Sequence, residues 1–128
     1  MDTVEKTEAE VSGKMSTDPL FGGDEWTPVH KAVEGGDYEG LTIMLDAGAD
    51  PNEMCFGHTL LTHALDVEGD GHLQSDYPLH TAATAILLAY GADPELPAAD
   101  GETPMQMAKH YGHEPARRLL QRFLDGKR

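Results

Sequence analysis

The residues of this chain that could act as nucleophiles form no recognisable catalytic motif. One cysteine, Cys55, accompanies seven histidines, and a thiol activated by an imidazole is the pair that cysteine-dependent enzymes use. The sequence contains no glycine-rich phosphate loop, no HExxH motif and no paired cysteines. A single thiol on a predicted hairpin loop is more often incidental than reactive. We therefore expect no enzymatic activity and no catalytic residue.

Two histidine pairs have spacings that occur in zinc sites. His58 and His63 lie five residues apart, and His110 and His113 lie three apart. No cysteine or carboxylate is fixed beside either pair by the sequence, so neither pair predicts a complete set of ligands. We expect structural roles for His30 and His113, and no metal or cofactor.

Residues 66–71 offer a sharper metal hypothesis. The segment DVEGDG matches the beginning of a calcium loop, with acids at alternate positions followed by glycine. The bidentate glutamate that closes such a loop would fall where Tyr77 stands, so the set of oxygen ligands is incomplete. A solvated loop is the simpler reading, and a metal-responsive binding protein is the least favoured function.

The charge of the chain is large and unevenly distributed. Its 128 residues contain 23 acidic and nine basic residues, a formal net charge of −14. Residues 1–108 hold 21 of the acids and only three bases, whereas residues 109–128 hold six bases and two acids. This field repels nucleic acid and favours encounter with a basic partner. We therefore expect a protein partner and no binding to nucleic acid.

Targeting signals are not visible in the sequence. The first twenty residues contain no apolar segment typical of a signal peptide, and no stretch contains 18 apolar residues. The lone cysteine excludes a disulfide within the chain, which favours a reducing compartment. We expect a cytoplasmic protein that does not interact with membranes.

Internal repeats organise most of the chain. The sequence GADP occurs at residues 48–51 and again at 91–94, and TPVHKA at 27–32 is echoed by TPMQMA at 103–108. A degraded middle copy, TLLTHA, occupies residues 59–64. The first interval between these starts is 32 residues and the second is 44. With a period of about 33, the middle unit therefore carries about 11 additional residues.

The additional residues fall between the two helices of the middle unit. Thr27 to Gly48 spans 21 residues, but the equivalent Thr59 to Gly91 spans 32. The segment EGDGHLQSDY at 68–77 is polar and rich in glycine, which favours a loop. Residues 78–82, PLHTA, are interpreted as the opening of the following helix.

Helix-capping residues support a helical reading of each unit. Thr27, Thr59 and Thr103 can cap helix N-termini, and Asp37 can cap the second helix of the first unit. Glycines that follow apolar helices, as in GADP, are typical of left-handed C-terminal caps. The sequence predicts helices near residues 28–35, 38–47, 60–67, 78–90, 104–111 and 114–125.

These motifs resemble the ankyrin repeat over residues 23–124. The resemblance implies an all-α solenoid of three helix–turn–helix repeats with hairpin-like loops and an insertion between the helices of the middle repeat. We expect a mobile acidic N-terminal arm at residues 1–22 and a single domain at 23–128. The expected repeats are about 23–54, 55–97 with the insertion at 68–77, and 98–126, and the last helix would form a polar C-terminal cap.

In the ankyrin pattern, the hairpin tips and the exposed side of each first helix form a concave surface that contacts partners. Trp26, Phe56 and Tyr111 occupy outward positions of that pattern, so we expect them to be aromatic anchors among acidic residues. The resemblance places the partner-binding surface at Asp24, Trp26, Glu34, Phe56, His58, Asp66, Glu68, Asp70, His72, Asp76, Tyr77, Asp100, Glu102, His110 and Tyr111.

The function expected from the sequence is that of a non-enzymatic protein-interaction module. It would dock a basic partner on an acidic concave surface, as a regulator or an inhibitor, and would be monomeric when free. The alternative follows from similarity to small free-standing ankyrin proteins of bacteria, some of which are immunity proteins. Under that hypothesis the acidic surface would neutralise a basic toxin such as a nuclease.

Overall fold

The computed structural model describes residues 25–75 and 78–126 of the chain. The described elements are six helices and one short antiparallel hairpin. In chain order they are α1 Pro28–Gly35, α2 Tyr38–Asp46, β1 Met54–Cys55, β2 His58–Thr59, α3 Leu60–Ser75, α4 Ala82–Ala89, α5 Pro104–His110 and α6 Glu114–Gly126. The helices follow one another as three pairs, α1–α2, α3–α4 and α5–α6, and the all-α repeat architecture expected from the sequence is confirmed.

The threonine that opens each pair caps its first helix. The Thr27 hydroxyl accepts a hydrogen bond from the backbone N–H of His30, and Thr59 accepts equivalently from Thr62. Thr103 forms a full capping box, in which the side chain of Gln106 returns a hydrogen bond to the backbone N–H of Thr103. These contacts satisfy N–H groups that a helix start leaves without partners. Capping was predictable because its geometry is local.

Each helix pair buries its apolar side against the next pair. α3 lies centrally, packed against α1, α4 and α5, while α2 contacts α4 and α4 contacts α6. The fully buried side chains of the core are dominated by leucine, namely Leu41, Leu60, Leu61, Leu65, Leu87 and Leu120. α6 closes the stack with Leu120 buried inside, while Arg118 and Arg122 on the same helix are exposed. This arrangement fits the expected polar cap.

Loops after the second helices are joined by hydrogen bonds between repeats. Gly48 and Gly91 have φ of 107° and 99°, in the positive region that glycine adopts without steric cost. The side-chain oxygen of Asn52 then accepts from the backbone N–H of Asp93 at 2.7 Å. This hydrogen bond links the two GADP loops and holds the first two repeats in register.

The structure corrects the prediction for residues 68–77, of which 68–75 are described. Instead of a loop, α3 continues through Ser75. Two tertiary contacts explain the difference. The carboxylate of Glu68 accepts hydrogen bonds from the backbone N–H and hydroxyl of Thr84, and the backbone at Gly69 lies against the ring of Tyr111. Packing therefore overrides the low helix propensity of a glycine-rich segment.

The start of the next helix also differs from the prediction. α4 begins at Ala82, and residues 78–81 are not helical. The ring Nδ1 of His80 accepts a hydrogen bond from the N–H of Ala82, and the His80 carbonyl accepts one from Nε2 of His113. This carbonyl is therefore used to hold the last repeat rather than to form a first helical turn.

Candidate functional site

Two adjoining hollows run along the hairpin tips and the exposed sides of the first helices. They share Phe56, His58 and Asp66, and we call them together the groove. The first hollow encloses about 470 Å³ and is lined by Trp26, Glu34, Phe56, His58, His63, Asp66, Val67, Asp70 and Gly71. The second encloses about 320 Å³ and is lined by Phe56, Gly57, His58, Asp66, Ala98, Ala99, Asp100, Glu102, Met107, His110 and Tyr111.

The groove brings together most of the surface residues expected from the sequence. Ten of them line one hollow or both, namely Trp26, Glu34, Phe56, His58, Asp66, Asp70, Asp100, Glu102, His110 and Tyr111. Five of these are acidic, and no lysine or arginine lines either hollow within residues 25–75 and 78–126. The groove is therefore a region of negative charge that extends from the first repeat to the third.

Three of the five acidic side chains of the groove are held by neighbouring groups. Asp66 accepts a hydrogen bond from the hydroxyl of Tyr111 at 2.5 Å, and Asp70 accepts from the amide of Gln74 at 3.0 Å. Asp100 accepts from the backbone N–H of Glu102 at 2.9 Å. Because these contacts fix the carboxylates before any partner arrives, little side-chain entropy remains to be lost on binding.

An aromatic cluster forms the hairpin end of the groove. The ring of Trp26 stacks on His63 with 4.3 Å between centroids and meets the ring of Phe56 edge-on at 4.8 Å. Trp26 is half-buried, whereas Phe56 is 49% exposed. Of the two rings, Phe56 offers more apolar surface to a partner.

The hairpin turn holds Phe56 in an unusual backbone conformation. Its φ is +51° and that of Gly57 is +81°, as required in the two-residue turns that match the twist of paired strands. Asparagine or glycine is the usual occupant of the first turn position, because a bulky side chain is disfavoured at positive φ. The backbone conformation of Phe56 therefore costs conformational free energy, and burial of a half-exposed ring does not by itself account for a phenylalanine at this position.

His63 lies under the first hollow, and the surface expected from the sequence does not include it. Its side chain is 4% exposed, and within the described residues neither ring nitrogen makes a hydrogen bond. Nε2 lies 3.3 Å from a carboxylate oxygen of Glu34, outside hydrogen-bond geometry. Burial lowers the pKa of His63, and the nearby His30 lowers it further, while Glu34 opposes both effects. His63 lies one helical turn from Asp66, a spacing that could have suggested a shared face.

His30 and His113 have the structural roles expected from the sequence. His30 is fully buried, and its ring contacts the hydroxyl of Thr27 at 2.7 Å and the carbonyl of His58 at 3.1 Å. Burial lowers the pKa of His30, with a partly opposing effect from the hydrogen bond to the His58 carbonyl. His113 is also fully buried and contacts Glu68 at 3.0 Å. Both rings hold loops and helices together.

Tyr111 differs from the outward anchor expected from the sequence. Its ring is half-buried, packs against the core and lies directly over Gly69. Burial raises the pKa of its hydroxyl, and the hydrogen bond to Asp66 raises it further. Tyr111 therefore joins the third repeat to α3, and we expect its removal to affect stability as well as binding.

Glu68 is the clearest departure from the expected surface. Its side chain is 2% exposed, and its carboxylate is bound by Thr84 and His113 inside the protein. Glu68 therefore cannot contact a partner, and its predicted place in the partner-binding surface is wrong. His72 lines neither hollow of the groove but an adjoining one, beside Tyr38 and His80. Asp24, Asp76 and Tyr77 lie outside the described residues.

The structure contradicts the hypothesis of a calcium loop at residues 66–71. Residues 66–71 lie within α3, where backbone groups bond along the helix instead of turning around an ion, and Glu68 points into the core. Among the residues that the structure describes, no group of three or more histidine, cysteine or acidic side chains is placed to hold a metal. Neither histidine pair is therefore completed into a zinc site in that part of the chain.

Comparisons with known proteins agree with this architecture. The family model for the ankyrin repeat matches residues 24–55. The fold is similar to an ankyrin repeat domain from Acinetobacter baumannii AYE, with 30% sequence identity and a TM-score of 0.64. Both findings identify ankyrin repeat architecture in this chain. The matched region covers 77% of this chain and 47% of the other, so the match spans about half of that structure's length.

Two further findings bear on function. A comparison with curated proteins gave no match. Within residues 25–75 and 78–126, every helix is too short or too polar to cross a lipid bilayer. Ankyrin repeats generally act as protein–protein interaction modules and not as enzymes, and the groove contains ten of the residues expected on such a surface.

Proposed function

We propose that this protein binds a basic segment of a protein partner along the groove and acts as a regulator or inhibitor of that partner. The observation that carries the proposal is the lining of the two hollows, where five carboxylates accompany aromatic rings and no described lysine or arginine intervenes. Complementary charge accelerates encounter and selects the partner, while desolvated aromatic contact supplies affinity.

Phe56 gives the proposal a residue-level basis. A bulky ring at φ of +51° costs about 1–2 kcal/mol relative to a relaxed conformation. Its edge-on contact with Trp26 returns about 0.5–1.5 kcal/mol beyond the burial of half the ring, so the backbone cost offsets much of what this contact contributes. A half-exposed ring with a local cost is better explained by contact with a partner than by folding.

The experiment uses the full chain as bait at low salt, followed by titration of the purified partner against variants. Phe56→Asn should weaken binding by at least about 1 kcal/mol, which is about fivefold, and leave the free energy of unfolding within about 1 kcal/mol. Ile43→Ala is the matched control, because Ile43 is 59% exposed and lines neither hollow. Equal effects of the two changes on binding would refute the proposal.

The role of charge is tested with a second matched pair. Asp100→Asn should slow association and reduce its dependence on salt, because the amide keeps the local hydrogen bond but removes the charge. Glu39→Gln on α2 is the control, since Glu39 is exposed and lines neither hollow. A partner without a basic surface, or association that does not respond to salt, would contradict the proposal.

A regulator and an immunity protein would bind a basic partner along the groove in the same way. An immunity protein would abolish the activity of one basic toxin and protect cells that express it, whereas a regulatory adaptor would bind without abolishing activity. The similar domain from Acinetobacter baumannii supports a bacterial setting for either form. Assay of the partner's activity at saturating concentrations of this protein separates the two.

A further inference from the structure

We infer that the first hollow is a binding site for an arginine side chain, and that the partner presents this arginine as its central anchor. The inference rests on the proposed function, because it names the group that would enter the acidic groove. It depends on three features of the hollow, which are the placement of its carboxylates, its aromatic rings and its buried imidazole.

Carboxylates from two helices line the first hollow. Glu34 lies on α1, while Asp66 and Asp70 lie one helical turn apart on α3. The guanidinium group carries five N–H donors in a plane and can bond to more than one carboxylate at once. An ammonium group is a compact point charge with three donors and matches separated carboxylates less well.

The aromatic rings add a second basis for recognition. Trp26 and Phe56 line the same hollow as the carboxylates, and a guanidinium group binds aromatic faces through both its charge and its planarity. The volume of about 470 Å³ lies in the range of about 300–1,000 Å³ that is common for specific small-ligand sites.

The buried imidazole of His63 is the observation that distinguishes this hollow from an ordinary acidic patch. A polar side chain that is 4% exposed normally has a hydrogen-bond partner, yet within the described residues both ring nitrogens of His63 have none. His63 lines the hollow together with Glu34 and Asp66, and its Nε2 lies 3.3 Å from a carboxylate oxygen of Glu34. Because burial favours its neutral form, the ring can accept an N–H from a cation without repelling it.

The test uses three blocked tripeptides, acetyl-Gly-Arg-Gly-amide and its lysine and norleucine analogues, titrated against the full chain at low salt. Trp26 is the only tryptophan of the sequence, so its fluorescence reports directly on the first hollow, and NMR follows the ring signals of His63. We expect saturable changes in both signals with the arginine peptide, at least threefold weaker binding of the lysine peptide, and no response to norleucine. Equal binding of arginine and lysine would overturn the inference.

Variants locate the site. Glu34→Gln should weaken binding of the arginine peptide at least threefold, while Glu39→Gln on α2 should leave this binding unchanged. His63→Phe should also weaken it, because phenylalanine can stack under Trp26 but offers no nitrogen. If His63→Phe fails to fold, Glu34→Gln still decides, since the Glu34 side chain is 57% exposed. Unchanged affinity in Glu34→Gln would place the peptide elsewhere and overturn the inference.

The inference and the proposed function fail in different ways. If the arginine peptide does not perturb Trp26 or His63 while a basic partner still depends on Phe56 and Asp100, the arginine site is wrong and docking along the groove stands. If the arginine peptide binds as expected but no basic protein docks, the site stands and the proposed function fails.

Discussion

Replacing Gly69 by alanine tests whether the insertion is a helix packed on the third repeat. A Cβ atom at this position would lie 2.3 Å from Cγ of Tyr111 and 2.6 Å from Cδ1. Real contacts of this kind are far longer, so the ring or the helix must move. Overpacking of this kind typically costs about 1–3 kcal/mol. Gly69→Ala should therefore destabilise the fold although alanine is the better helix former.

Gly71 provides the matched control two residues further along the same helix. A Cβ atom there would have no described atom within 4 Å outside its immediate surroundings. Gly71→Ala should therefore stabilise the fold by about 0.5–1 kcal/mol through helix propensity alone. Because the propensity gain is common to both variants, their free energies of unfolding should differ by about 1–3 kcal/mol.

The assay is urea denaturation followed by circular dichroism, with the slope of the transition checked for constancy. Combining Gly69→Ala with Tyr111→Leu should recover part of the loss, because the planar ring that meets the new methyl group is gone, and the resulting coupling between the two sites should exceed about 0.5 kcal/mol. Equal stability of Gly69→Ala and Gly71→Ala would show that Tyr111 does not lie over Gly69. A loop in place of the helix would leave Gly71→Ala without a stabilising effect.

Three further predictions concern stability. Burial lowers the pKa values of His30 and His63 below 6.5 in the folded state. As the pH drops below 6.5, the unfolded state therefore takes up protons first, and the free energy of unfolding falls. The loss is at most about 1.4 kcal/mol per pH unit for each ring. Thermal melts between pH 7.5 and 5 should show a smaller loss in His63→Phe than in the wild type, and parallel curves would contradict this assignment. Glu68→Ala should cost at least about 1–3 kcal/mol because it leaves the buried N–H and hydroxyl of Thr84 without their acceptor, with Glu68→Gln less damaging in the same denaturation assay. Thr103→Ala should cost about 1 kcal/mol by removing the capping box, and an unchanged melting temperature would show that this cap is dispensable.

The local signals in the sequence were sufficient for the repeats and for most helix starts. Threonine before proline marks a helix start through contacts within three residues, and both Thr27 and Thr103 cap as predicted. The same register placed ten of the expected surface residues along one groove, because each repeat presents equivalent positions on the same side. Their role as a binding surface stays a prediction.

The errors occur where distant parts of the chain meet. The polar, glycine-rich segment after Val67 has the composition of a loop, and no neighbour in sequence reveals that Glu68 will be bound by Thr84 and His113. The sequence showed Tyr111 at an outward repeat position but could not show that the lengthened α3 would bring Gly69 beneath its ring. Glu68 and Tyr111 were both misplaced because α3 is longer than the sequence predicted.

By itself, the sequence determined the repeat period, the helix caps and the excess of acidic residues, since each depends on residue type and short spacing. Only the tertiary structure decided that the insertion is helical, that Glu68 is internal and that His63 lies unsatisfied beneath the acidic hollow. The physical reason is that burial and hydrogen-bond partners across repeats depend on how helices distant in sequence pack together, and these contacts outweigh local propensity.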